Sequence, residues 1–329
     1  MFVFVFMIGA CLSQGRAQTK SAVSYKNPVV DIAMPDPTVI KAADGYFYVY
    51  ATESTRNVPI MKSKDLVEWT YCNTAFTNKT RPRFEPKAGI WAPDINYING
   101  KYVLYYAMSV WGGEQTCGIG VATADSPQGP FTDHGKMFRS NEIGVQNSID
   151  PSLLQYEGRN YLVWGSFRGI YVIELTADGL SIMPGAKKKR IAGTAFEAVY
   201  IHKHGDYYYM FASIGSCCQG VKSTYKVVVG RSKKVWGPYK DKTGKPMLKN
   251  GYSLVIGAND HFVGNGHGSQ IIQDDAGQDW LLYHGFSRST PENGRILLLD
   301  QIKWDQEGWP YVEGGSPSYE TQKAPVFNN

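Results

Sequence analysis

The chain is poor in charge and in long apolar runs. Asp, Glu, Lys and Arg make up 19% of its 329 residues against 43% hydrophobic, a balance that excludes a disordered chain. The one long apolar run, Met1 to Leu12, falls short of the roughly 20 residues a membrane-crossing helix needs, so no membrane span is expected. Gly (35) and Pro (17) are scattered without a period, which excludes collagen and argues against long helices. Cysteine is sparse: Cys11, Cys72, Cys117, Cys217 and Cys218 lack the paired spacing of a zinc site. Excess basic charge is small as well. Of a net +5, the run Lys187-Lys188-Lys189-Arg190 is the one concentration. It reads as a solvated loop after Pro184-Gly185, and without a second basic stripe no nucleic-acid partner is expected.

Met1 to Leu12 instead fits the apolar core of an export signal over residues 1–20, although the usual positive start is absent. Two exits are readable. Ile8-Gly9-Ala10-Cys11 resembles a lipobox, which would leave a lipid anchor on Cys11; Gly15-Arg16-Ala17 before Gln18 reads as a signal-peptidase site. The expected location is therefore outside the cytoplasm: periplasmic, outer-membrane lipoprotein or secreted. Without Cys11 four cysteines remain, and an oxidising compartment allows disulfides among them. Adjacent Cys217 and Cys218 are not expected to bond each other, because a vicinal bridge is strained.

What the chain does have is aromatics, 13% of residues with 22 Tyr, and an internal repeat. Asp36-Pro-Thr-Val-Ile leads through Asp44-Gly45 to Tyr46–Ala51. Asp94-Ile-Asn-Tyr-Ile leads through Asn99-Gly100 to Tyr102–Ala107. Asp150-Pro-Ser-Leu-Leu leads through Glu157-Gly158 to Tyr161–Gly165. Glu197-Ala-Val-Tyr-Ile leads through His204-Gly205 to Tyr207–Ala212, and Ser269-Gln-Ile-Ile leads through Ala276-Gly277 to Trp280–His284. Each unit reads as two strands joined by a tight Gly turn. Further hairpin pieces follow, such as Gly120–Phe131 and Val229–Tyr239. About four strands per unit of roughly 50 residues is the size of a propeller blade. The prediction is an all-β, single-domain five-bladed β-propeller over residues 24–318; a sandwich or jelly roll would not explain five in-phase units.

In a propeller the first strand of each blade lines the axis, so the residues that open the units share one pocket. Asp36, Asp94, Asp150 and Glu197 are such openers. Carboxylates brought together raise one another's pKa, which suits a general acid, while a second ionised carboxylate activates water. That is the arrangement of an inverting glycosidase, with carboxyls ~6.5–9.5 Å apart. For any one Asp-Pro a turn is the ordinary explanation; the shared phase of the set is what points to chemistry.

The residues also resemble a known family. Met34-Pro-Asp-Pro-Thr38, Trp91-Ala-Pro-Asp-Ile95, Ser148-Ile-Asp-Pro-Ser152, Phe196-Glu-Ala198 and Gly264-Asn-Gly-His-Gly-Ser269 look like glycoside hydrolase family 43 across roughly residues 27–316. Gly215–Gly220, Ser223–Tyr225, Val229–Ser232 and Trp304 to Val312 are similar to its arabinan endo-1,5-α-L-arabinosidase branch. The resemblance implies a five-bladed propeller and inversion, with Asp36 the base, Glu197 the acid and Asp150 the group that orients the acid and tunes its pKa. It further implies one Ca²⁺ near the axis held by a single His plus waters, with His284 in Leu282-Tyr-His-Gly-Phe286 the matching ligand and no organic cofactor. Pro35 departs from the His that arabinanases commonly carry before the base. The implied partner is a plant cell-wall polysaccharide or oligosaccharide, arabinan first, cleaved by a monomer.

Around these acids, Trp91 is the expected sugar-stacking surface, with Trp111 and Phe84 as further candidates and Trp164 read as core. Asp94, His267 and Arg288 are candidate substrate contacts, His267 because Gly264, Gly266 and Gly268 allow close backbone approach. Two rivals stay open: an exo-acting α-L-arabinofuranosidase or β-xylosidase of the same family, and a non-catalytic glycan-binding propeller.

Overall fold

The structure, a computed structural model, describes residues 23–328; the export signal of residues 1–20 and Cys11 lie outside the described residues. Five antiparallel sheets follow one another along the chain. Blade I is Thr38–Lys41, Phe47–Tyr50, Pro59–Ser63 and Trp69–Thr74. Blade II is Gly89–Ile98, Lys101–Ser109, Gly118–Ala124 and Thr132–Arg139. Blade III is Ser152–Tyr156, Arg159–Trp164, Ile170–Glu174 and Lys189–Ala192. Blade IV is Glu197–His204, Tyr207–Ile214, Lys226–Ser232 and Ser253–Ile256. Blade V has its inner strand in two pieces, Phe262–Gly266 and Ile272–Gln273, both paired with Asp279–Ser287, followed by Ile296–Trp304 and Pro310–Tyr311. Together the sheets make the five-bladed β-propeller that the repeat predicts. Among the described residues no helix is long and apolar enough to cross a membrane.

Why the second strand of each blade is apolar nearly throughout follows from strand period. Successive side chains leave a strand on opposite faces, and here both faces are covered by a neighbouring blade. Tyr48 and Tyr50 pack toward blade II with Leu104 and Tyr106, while Phe47 and Val49 pack toward blade V with Leu297 and Leu299. Val103 and Tyr105 join blade III residues Leu162 and Trp164. Two further cores join III to IV and IV to V. Trp164 is thus core, fully buried with its Nε1–H on Ser148 Oγ at 3.0 Å.

The ring is closed by the chain's own ends. Ser24–Tyr25 pairs with Gln322–Lys323, and the Asn27 side chain both donates to and accepts from the Leu299 backbone at 2.9 and 2.8 Å. Ala324 and Phe327 fill the core between blades I and V, so the packed unit runs past Ser318.

Candidate active site

Each blade enters the axis through one residue with left-handed backbone: Asp36 (φ 52°), Ala92 (44°), Asp150 (56°), Ala198 (52°) and His267 (51°). Such conformations are costly for residues with a Cβ and gather at functional sites. Aligned on this kink, the acids are not in one phase as expected. Asp36 and Asp150 share it, but Glu197 stands one residue before Ala198 and Asp94 two residues beyond Ala92. His267 holds blade V's equivalent place, and Ser269, read as that unit's opener, lies two residues further on. The physical reason is a register shift in the inner strands, between Trp91 and Asp94 and between Glu197 and Tyr200. The pleat is interrupted there, so strict alternation does not decide which side chains face the axis.

Asp36 is buried in a cage of donors. Its Oδ2 accepts from Thr52 Oγ1 at 2.6 Å, and its Oδ1 lies 2.7 Å from Arg295 Nη1 and 3.2 Å from His267 Nδ1. Burial pushes its pKa up, but the Arg295 guanidinium and then His267 outweigh it and hold the carboxyl well below the usual range. Glu197, equally buried, has no arginine. Its Oε2 accepts from Ser166 Oγ at 2.6 Å and it bonds the Tyr225 hydroxyl. Burial raises Glu197 beyond what these donors lower, and the Asp36 charge adds to the rise. Asp150 is raised too, by burial first and by the charges of Glu197 and Asp36, while its Oδ2 accepts the Ala198 N–H at 3.1 Å.

Asp94 sits deeper. Its carboxylate accepts from the Leu153 amide at 2.7 Å and Asn96 Nδ2 at 2.6 Å, and burial pushes it up to about 7 despite them. It lines an axial cavity of about 30 Å³ with Asp150, Ser152, Tyr200, His267 and Gln270. His284 lies fully buried; its Nδ1 accepts the Asp36 N–H at 3.0 Å, and its Nε2 has no hydrogen-bond partner. Burial drives this ring down to about 4, so it is neutral.

Trp91 is half-buried, its ring 5.5 Å from that of Trp111, which is 78% exposed. The two indoles are tilted 48° to each other, and each offers an aromatic face of the kind a sugar ring packs on. Phe84 instead stacks on Tyr106. Arg288 is exposed, its Nε on the Asn259 carbonyl at 3.0 Å; the arginine that reaches an acid is Arg295. Sequence reasoning missed Arg295, Thr52 and Ser166, and quoted Tyr225 without a role.

Cys217 and Cys218 correct the expectation against a vicinal bridge: they are joined to each other. The pair lies in a loop rather than a strand, between Gly215 and Gly220, both left-handed. That gives the backbone freedom a regular element lacks. The same loop, tied by Ser216–Thr224 hydrogen bonds, delivers Tyr225 to Glu197. Cys72 and Cys117 are free.

Residues 25–310 match the family Glycosyl hydrolases family 43. The chain is 37% identical over 290 residues to the extracellular endo-alpha-(1->5)-L-arabinanase 1 of Bacillus subtilis (strain 168), covering 84% of this chain and 86% of that one. It is 36% identical over 307 residues to the extracellular exo-alpha-(1->5)-L-arabinofuranosidase ArbA of Cellvibrio japonicus (strain Ueda107), with the same two shares, 84% and 86%, covered. The fold matches that of Cellvibrio cellulosa alpha-L-arabinanase complexed with arabinohexaose at a TM-score of 0.78 and 33% identity, over 86% of this chain and 96% of that one.

Proposed function

Since the chain belongs to glycosyl hydrolase family 43 and is a glycoside hydrolase, we propose that it cleaves α-1,5-L-arabinofuranosyl linkages within arabinan, with inversion. One observation carries the chemistry: two buried carboxyls are pushed in opposite directions, Asp36 down by Arg295 and Glu197 up by burial. Opposed environments of this kind assign base and acid. Asp36, ionised, takes a proton from the attacking water; Glu197, protonated, gives one to the leaving oxygen. Asp150, which accepts the N–H of Ala198 next to Glu197, orients the acid through the backbone that carries it. The Trp91–Trp111 surface supports the sugar. The substrate is supported by the names of both relatives. The exo-acting relative, nearly as similar as the endo-acting one, carries a second reading, release of single arabinose units from a chain end.

Product analysis on linear 1,5-α-arabinan tests this. Mixed oligosaccharides at early times, abolished in Glu197→Gln, are expected. Arabinose alone would establish the exo reading, and wild-type hydrolysis by a folded Glu197→Gln would sink the acid assignment.

An axial Ca²⁺ fits His267 better than His284. His284 Nδ1 accepts the Asp36 N–H at 3.0 Å and also lies 3.3 Å from Asp36 Oδ1; while the amide bond holds, that ring's Nε2 carries the proton, and His284 does not line the axial cavity. His267 instead sets Nδ1 against the Asp36 carboxylate at 3.2 Å and lines the axial cavity, which is the carboxylate–histidine pattern of a ligand whose other nitrogen is free. Bound there, the ion would supply positive charge under the acids, with waters completing its shell. Loss of calorimetric Ca²⁺ binding in His267→Gln, and its retention in His284→Gln, is the expected result. Export is part of the same proposal, supported by two relatives named extracellular.

A further inference from the structure

At the opposite end of blade IV's inner strand stands a second constellation. His202 and His204 are two residues apart on that strand and so project from one face. Asp279, the first residue of blade V's Asp279–Ser287 strand, faces them. One ligand atom from each of the three lies within 4.8 Å of the others. Seven residue steps separate His204 from Glu197, roughly 20 Å along a strand at ~3.3 Å per step, so this cluster is distinct from the acids.

We propose that His202, His204 and Asp279 form a binding site for a divalent transition metal of the zinc type, which clamps blade IV to blade V. Two imidazoles and one carboxylate are a three-ligand set for such an ion, with a water in the fourth place, and small side-chain rotations bring the donors to the ~2.0–2.2 Å that Zn²⁺ requires. Hard cations prefer oxygen shells, so the donor set selects against Ca²⁺ and Mg²⁺ here.

The surroundings are those of a held ligand set rather than of a casual surface pair. Asp279 is 5% exposed, and among the described residues no lysine or arginine pairs with it; its one ion-pair neighbour is His204 Nδ1 at 3.8 Å from Oδ2. Buried carboxylates without such a partner are paired with something else or coordinate a metal. Its orientation is fixed by two donors, Trp304 Nε1–H on Oδ2 at 2.8 Å and Gln273 Nε2 on Oδ1 at 3.2 Å. Trp304 also stacks on the His204 ring at 3.7 Å and 8°. One indole therefore positions two of the three ligands, as second-layer partners do in metal sites.

The test uses the full chain after chelator treatment, titrated calorimetrically with Zn²⁺ and optically with Co²⁺. One Zn²⁺ per chain is expected, with affinity at least tenfold weaker in His202→Gln/His204→Gln and in Asp279→Asn. His267→Gln should leave this binding unchanged, and glycoside hydrolysis should be the same in Asp279→Asn as in wild type. Folded variants that bind Zn²⁺ like wild type, or a wild type that binds none below millimolar concentration, would overturn the site. If the histidine variants do not fold, anomalous scattering from Zn²⁺-soaked wild-type crystals decides: a peak between the three side chains supports the site and its absence rejects it.

Discussion

Arg295 and Asp36 form a pair in which neither partner is well solvated: the side chains are 17% and 11% exposed. Removing one member of a buried pair strands the other, at a cost of about 3–5 kcal/mol. Arg295→Met is therefore expected to lower stability by an amount near the bottom of that range, since His267 also faces Asp36. Hydrolysis should fall on the order of 10²-fold or more, the usual share of a general base. Arg295→Lys should restore part of both, as a point charge without the planar fork. Unchanged melting and rate in Arg295→Met would remove the guanidinium from this account. The acids themselves were legible because each sits in a short motif with Pro, Trp or Ala beside it. Arg295, Thr52 and Ser166 were not, because their roles exist only through neighbours distant in sequence, and Arg288 carried no less local signal than Arg295.

At the scale of elements, the inner strand of blade V is cut in two so that His267 can occupy the kinked position, and Gly266 just before it is pressed against Tyr225. A Cβ at Gly266 would land inside the Tyr225 ring's contact distance. Gly266→Ala should thus displace the ring, cost about 1–3 kcal/mol as overpacking does, and lower hydrolysis at least tenfold through the lost Glu197 hydrogen bond. Tyr225→Phe separates the effects: comparable loss of rate with the ring still packed. A Gly266→Ala enzyme with wild-type rate would show that Tyr225 does not set the acid. Blade V begins at Phe262, before Ser269, the opener its repeat unit suggests, but the five units of about four strands each were readable from alternation and Gly turns. The phase of Glu197 and Asp94 was not, because a register shift at the kink changes facing without changing hydrophobic pattern. Nor was the Cys217–Cys218 bridge, which depends on loop conformation.

For the molecule as a whole, burying unpaired carboxyls beneath the site has a stability cost that grows with pH. Asp94 ionises near 3.9 when unfolded but at about 7 when folded. Over that window the folded state holds the extra proton, so stability falls as pH rises, by up to about 1.4 kcal/mol per pH unit for one proton. Asp94→Asn keeps the shape and can still accept from Leu153 and Asn96. Its unfolding free energy, relative to wild type, should climb between pH 4 and 7 and level off above; a difference independent of pH would mean Asp94 is ionised in the folded protein.

The strand formed by Ser24–Tyr25 on Gln322–Lys323 has a topological meaning as well. Because the two ends of the described chain already lie side by side, the ring has no intrinsic starting blade. A circular permutant that joins these ends by a few residues and opens the chain at the exposed Asp206 turn, between the first two strands of blade IV, would inherit all five inter-blade cores. Blade order along the chain is thus separable from the packing of the ring, which a cut at a surface turn would leave intact.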